Sequence, residues 1–128
     1  MTVPATNATH LTSTTGHITV ERERTPMQHL SVADDEVPAV GLGTWKLEGQ
    51  TAYGTVKTAL SLGYRHIDTA QAYENERHVG NAIHDSDVDR DDVFLTTKVR
   101  PDRYEPGALK ASVRESLHKL DTDYVDLL

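Results

Sequence analysis

The chain has 128 residues, carries 20 acidic against 13 basic side chains for a formal net charge of -7, and contains no cysteine. That charge repels nucleic acid and anionic membrane surfaces, and the absence of thiols removes disulfides, cysteine nucleophiles and thiolate zinc sites together, a composition that fits a reducing, cytoplasmic setting. The length suits one ordinary domain or a piece of a larger one, since an eight-stranded α/β barrel takes roughly twice as many residues.

Residues 1–28 are rich in Thr and Ser, are broken by Pro4, Gly16 and Pro26, and hold few large apolar side chains. Such a segment buries too little surface to offset its ordering entropy, so it reads as a flexible tail. It shows no basic stretch followed by an apolar one, the mark of a secretory signal, and no apolar run anywhere approaches a membrane span. The folded part is expected over residues 29–128. It opens with two short apolar runs, 29–32 and 37–40, flanking an acidic turn, Ala33-Asp34-Asp35-Glu36, the pattern of a small β-hairpin.

From Ala39 onward, runs of period two alternate with runs of helical period, the arrangement of parallel strands joined by crossover helices. Strands are expected over 40–44, 65–69, 93–98 and 124–128. The first helix, 50–62, places Tyr53, Val56, Ala59 and Leu60 on one face and ends at Gly63, a residue suited to a left-handed cap. The second starts near Asn75, a good N-cap, and buries Val79, Ala82 and Ile83. The third has Pro106 in its first turn and repeats Leu109, Val113, Leu117 and Leu120 along one stripe.

The chemistry-bearing residues fall at strand ends. Thr44, Trp45 and Lys46, then Asp68, then Lys98 close three successive strands, and Tyr73 lies in the loop five residues after Asp68. A barrel brings all its strand C-termini to one mouth, whereas an open doubly wound sheet collects its ligand at a single switch point. The spread therefore favours a parallel (β/α)8 barrel of TIM type, with three strand–helix units and a fourth strand visible. The dinucleotide fingerprint of the open sheet also fails, because Lys46 stands at the third glycine position after Gly41 and Gly43. A phenol ionises near pH 10, so one that exchanges a proton near neutrality needs its charged form stabilised by about 3 to 4 kcal/mol. Neighbouring strands would let Asp68 hold the Lys98 ammonium beside Tyr73 for that purpose.

Gly41-Leu42-Gly43-Thr44-Trp45-Lys46, the segment from Asp68 to Glu76, and Thr96-Thr97-Lys98 follow the order and spacing of the aldo-keto reductase family, which the chain resembles from about Leu30 to Leu128. The resemblance implies a nicotinamide cofactor, usually NADPH with NADH as the alternative, that passes a hydride to an aldehyde or ketone substrate while the tyrosine protonates the oxygen. It implies Tyr73 as general acid, Lys98 and Asp68 as the residues that tune it, and Gly43, Thr44, Trp45, Lys46 and Asp68 beside the nicotinamide or the substrate pocket. Family members carry a further catalytic histidine a few positions past the Asp-Leu-Leu that is here Asp126-Leu127-Leu128, and their later strands grip the cofactor's adenosine phosphate. The chain as given is thus expected to be about the N-terminal half of such a barrel. The other reading is a fragment without catalysis, at most an interaction or assembly partner that self-associates through open barrel edges.

Taken singly, Asp68 fits a strand end, Tyr73 a surface loop, Lys98 a solvated cation and Trp45 a core anchor; only their combination carries the chemistry. None of the seven histidines is assigned a catalytic role. Acids over 85–92 are spaced as in a calcium loop, but Arg90 stands where glycine is needed and Thr96 where a bidentate glutamate belongs, so no metal is expected. Twelve of the acids are aspartates and only five of the cations are lysines, a balance suited to a surface kept soluble in strong salt. On that basis the melting temperature rises with added salt; an unchanged melting temperature on titration with KCl removes the inference.

Overall fold

The computed structural model describes residues 10–14, 17–21 and 26–128. Within the segment expected to be a flexible tail, β1 (His10–Thr14) and β2 (His17–Glu21) pair antiparallel, His10 opposite Glu21 and Thr14 opposite His17. The departure has a compositional cause: threonine counts as polar in a burial argument, yet it is β-branched and, like Ile18 and Val20, favours extended backbone. The rest of the segment up to residue 25 lies outside the described residues.

The second hairpin forms where expected but is tighter. β3 (His29–Val32) pairs with β4 (Asp35–Pro38) in the register His29 to Pro38 and Val32 to Asp35, so the turn is Ala33 and Asp34 alone rather than 33–36. Ala33 takes φ 54°, the left-handed conformation whose twist matches that of the flanking strands in a two-residue connection. The acidic residues 35 and 36 are therefore strand residues.

Three short strands then form a parallel sheet in the order β5 (Leu42–Gly43), β6 (His66–Asp68), β7 (Phe94–Thr96). Gly43 lies opposite Asp68 and Asp68 opposite Thr96, which aligns the strand ends that carry the candidate site residues. The fourth expected strand is reduced to a single parallel bridge between Thr96 and Leu127, with the Thr97 amide donating to the Leu127 carbonyl at 3.2 Å. Arg90 holds this segment in place. Its guanidinium donates to the carbonyls of Val93 (2.6 Å) and Tyr124 (2.9 Å) and to the Asp126 carboxylate (3.1 Å), while that carboxylate also accepts the Leu95 amide at 2.8 Å.

The crossover helices are α1 (Gly49–Leu62), α2 (Glu76–His84) and α3 (Pro106–Leu120). α1 buries Val56, Ala59 and Leu60 as its periodicity requires and ends on Gly63 at φ 105°. α2 buries Val79, Ala82 and Ile83, and these pack with Leu60, Ile67 and Leu95 into the core beneath the sheet. α3 differs from expectation: its innermost line is Ser112, Ser116 and Leu120, with Leu109, Val113 and Leu117 only half-buried beside it. The reason is polar. The two serine hydroxyls have partners under the helix, so the small residues go inward and the larger apolar ones flank them. Among the described residues no helix is long and apolar enough to cross a membrane.

α2 and α3 approach so closely at Gly80 that a Cβ there would lie 2.5 Å from the Leu120 carbonyl oxygen, a backbone atom that cannot swing away. Gly80→Ala should therefore force the helices apart and cost about 1 to 3 kcal/mol of stability, read as a lowered urea midpoint with an unchanged slope.

Candidate active site

Asp68 is the last residue of β6, and the chain beyond it makes a 3₁₀ turn, Gln71–Tyr73, which closes as the Glu74 amide donates to the Gln71 carbonyl. Glu74 sits at φ 55°, a left-handed step that redirects the chain into α2 straight after the tyrosine. Lys98 stands two residues past the end of β7, the strand next to β6. Register thus delivers the acid, the phenol and the ammonium to one place. The Lys98 ammonium is ion-paired with the Asp68 carboxylate, donates to the Thr69 carbonyl at 3.1 Å, and lies 5.2 Å from the centroid of the Tyr73 ring.

The electrostatics follow from this geometry. Burial by itself pulls the Lys98 ammonium down, but the hydrogen bond and charge of Asp68, together with the adjacent Tyr73 phenol, outweigh it and hold the group above its ordinary value. It is therefore fully charged at neutral pH. The Lys98 and Asp68 side chains remain 48% and 38% exposed, so the pair is solvated on one side and open to an incoming molecule.

The residues at the end of β5 divide into two kinds. Thr44 is fully buried: its amide (2.9 Å) and hydroxyl (3.2 Å) both donate to the Asp68 carbonyl, so it fixes the strand end instead of presenting a hydroxyl outward. Gly43 has open space where a Cβ would point. Trp45 is 67% exposed, which removes the core-anchor reading, and the Lys46 ammonium lies 4.5 Å from its ring centroid. The exposed indole and the free space over Gly43 leave room for a flat ring beside the strand end, and the Lys46 ammonium disfavours a cationic one. A concavity of about 400 Å³ between α2 and α3, lined by Gln71, Arg77, Arg100 and Lys119 among others, includes neither Tyr73 nor Lys98.

Several supporting residues escape a reading of the sequence. Asn75 does begin α2, but its side chain caps nothing. It is 1% exposed; its amide group donates to the carbonyls of Thr44 (2.8 Å) and Leu47 (2.9 Å), and its oxygen accepts the Thr69 hydroxyl (2.8 Å). Both amide hydrogens and the oxygen are engaged by the strand-end loops, which hold the side chain away from the helix amides it would cap. Glu76 is a buried carboxylate with no ion-pair partner among the described residues, satisfied by the hydroxyls of Thr97 (2.6 Å) and Ser116 (3.3 Å) and by its place in the first turn of α2. The only sequence signal for this network is the pair Ser112 and Ser116, spaced i, i+4 on a helix that is otherwise amphipathic.

The model of the aldo/keto reductase family matches residues 39–128. Methylglyoxal reductase DkgB of Yersinia pestis is 52% identical over 91 residues, which make up 71% of this chain and 34% of that protein. Glycerol 2-dehydrogenase (NADP(+)) of Saccharomyces cerevisiae is 48% identical over 93 residues, 72% of this chain and 29% of that protein. A crystal structure of an aldo/keto reductase from Brucella melitensis superposes with a TM-score of 0.75 at 40% identity, covering 77% of this chain and 39% of that one. The chain spans about a third of the length of the curated relatives it matches.

The raised basicity of Lys98 has a signed consequence for stability. A lysine whose folded-state value exceeds its unfolded one stabilises the fold below about pH 10.4, and that contribution is lost as pH rises through the raised value. Being solvent-screened, it amounts to less than about 1 kcal/mol. Asp68→Asn should bring the Lys98 titration down, followed by NMR of the lysine side chain, and the stability gap between wild type and variant should close at strongly alkaline pH.

Proposed function

This chain belongs to the aldo-keto reductase family, and from that premise we propose that it serves the reduction of small aldehydes and ketones to alcohols, with Tyr73 as the proton donor. The observation that carries the proposal is the Lys98 ammonium, ion-paired with Asp68 and 5.2 Å from the centre of the Tyr73 ring. A phenol that gives up its proton becomes an anion, and a fixed neighbouring cation lowers the free energy of that anion without having to reorganise. Asp68 keeps the cation aimed and charged. The donor is thus matched to a carbonyl oxygen that gains negative charge as its carbon is reduced.

Bound NADPH would supply the hydride to that carbon. The exposed Trp45 ring, the Lys46 ammonium and the open space over Gly43 fit its nicotinamide end, with Thr44 and Asp68 forming the strand-end floor. The choice of NADPH over NADH is supported by the yeast relative, which is a glycerol 2-dehydrogenase (NADP(+)). Small dicarbonyls are the first substrates to try, given the methylglyoxal reductases among the relatives. The cysteine-free composition supports action in the cytoplasm.

In this reaction the carbonyl carbon gains a hydride, the oxygen gains the Tyr73 proton, and solvent returns a proton to the phenolate. NADPH oxidation with methylglyoxal and a panel of aldehydes tests it. Tyr73→Phe should lose about 100- to 10,000-fold in kcat while cofactor binding, followed by quenching of the single tryptophan, stays close to wild type. Equal rates for wild type and variant would dismiss Tyr73 as the donor.

A further inference from the structure

We infer that Gln71 is a positioning residue that sets the Lys98 ammonium against Tyr73, an inference that rests on the carbonyl-reductase reading above. Gln71 opens the 3₁₀ turn that ends in Tyr73, so its placement fixes the tyrosine two residues on. The same residue grips the lysine loop at Lys98 itself and again two residues further on. Its backbone amide donates to the Lys98 carbonyl at 3.1 Å, and its side-chain oxygen accepts the Arg100 amide at 3.1 Å.

The side chain is in turn immobilised from below. Its nitrogen lies within hydrogen-bond distance of the Ser112 hydroxyl (2.7 Å), the Ser116 hydroxyl (2.9 Å) and the Ser112 carbonyl (3.1 Å), three acceptors that share its two N–H groups, and its oxygen also accepts from the Ser112 hydroxyl (3.0 Å). Both serines are almost completely buried in the wall of α3. Ser116 further donates to Glu76, which accepts the hydroxyl of Thr97, the residue immediately before Lys98. Two hydrogen-bonded routes therefore run from Ser116 to the lysine loop, a solvent-exposed one through Gln71 to Arg100 and a buried one through Glu76 to Thr97. A double tether around one lysine fixes the backbone from which its side chain reaches Asp68 and the Thr69 carbonyl, and the Gln71 route alone also fixes the tyrosine.

The expected consequence separates position from stability. In the full chain, Gln71→Met keeps the size of the side chain and removes its amide; kcat for NADPH-dependent carbonyl reduction should fall at least tenfold with KM little changed, and the pH profile of kcat should shift. The Lys98 side-chain titration, followed by NMR, should move down toward that of a free lysine. Gln71→Glu keeps the acceptor for the Arg100 amide and should recover most of the rate and of the titration. Ser112→Ala, a smaller change, should produce the Gln71→Met effects in weaker form. A Gln71→Met protein that melts earlier but keeps the wild-type kcat and Lys98 titration overturns the inference. Should the wild type reduce no carbonyl, the functional reading fails on its own, and the Lys98 titration of Gln71→Met and Ser112→Ala still decides whether Gln71 positions the lysine.

Discussion

Asp68 and Lys98 are thirty positions apart in sequence and meet because β6 and β7 run parallel in a register that sets Asp68 opposite Thr96. An ammonium two residues past the end of one strand then reaches a carboxylate at the end of the next, and everything polar at this end of the sheet is arranged around that contact. Thr44 secures the Asp68 backbone from the β5 side, and the Thr69 carbonyl gives the ammonium a second partner. Tyr73 gains its cationic neighbour from this pair and from no residue of its own loop. A one-residue slip between β6 and β7 would turn Asp68 to the other face of the sheet and dissolve the constellation, so the apolar alternation that fixes register also fixes the chemistry.

The strands are short, and a sheet of two- and three-residue strands supplies little stiffness of its own. The stiffness comes from side chains with fully committed hydrogen bonds. Asn75 joins the loops after β5 and β6, Gln71 joins the loops after β6 and β7, and Glu76 joins β7 to α3. Buried polar groups of this kind are costly when a partner is missing and rigid when all are present, which suits a site whose groups must be held to within fractions of an ångström. The network also explains why α3 turns serines inward, a choice that would weaken a helix serving only as core.

At the opposite end of the sheet, Arg90 does comparable work for the fold. It ties the start of β7 to the segment 122–126 through carbonyls and a carboxylate and lies 4.0 Å from the centre of the Tyr124 ring. The hydrogen bond from Tyr124 to Asp91, with burial, raises the Tyr124 phenol above its ordinary value, so this group donates steadily across the neutral range. The two ends of the strands thus differ in character: packing and anchoring at one, a solvent-open cluster of Asp68, Tyr73 and Lys98 at the other, the division seen generally in α/β barrels.

The sequence by itself determined the order of the second hairpin, the first three parallel strands and the three helices from residue 29 onward, the buried faces of α1 and α2, and the convergence of Asp68, Tyr73 and Lys98, because hydrophobic period and motif spacing are local and survive without coordinates; the strand expected over 124–128 is only a single bridge. The sequence did not determine the strand pairing within 10–21, the two-residue turn at Ala33, the inward serines of α3, or the destination of the Asn75 side chain. Each of those depends on which partner stands across a gap that the sequence does not measure: an asparagine at a helix start caps the helix only if nothing better is within reach, and here two carbonyls and a hydroxyl are. Tertiary structure alone decides that competition, since hydrogen-bond partners are chosen by distance in space and not by distance along the chain.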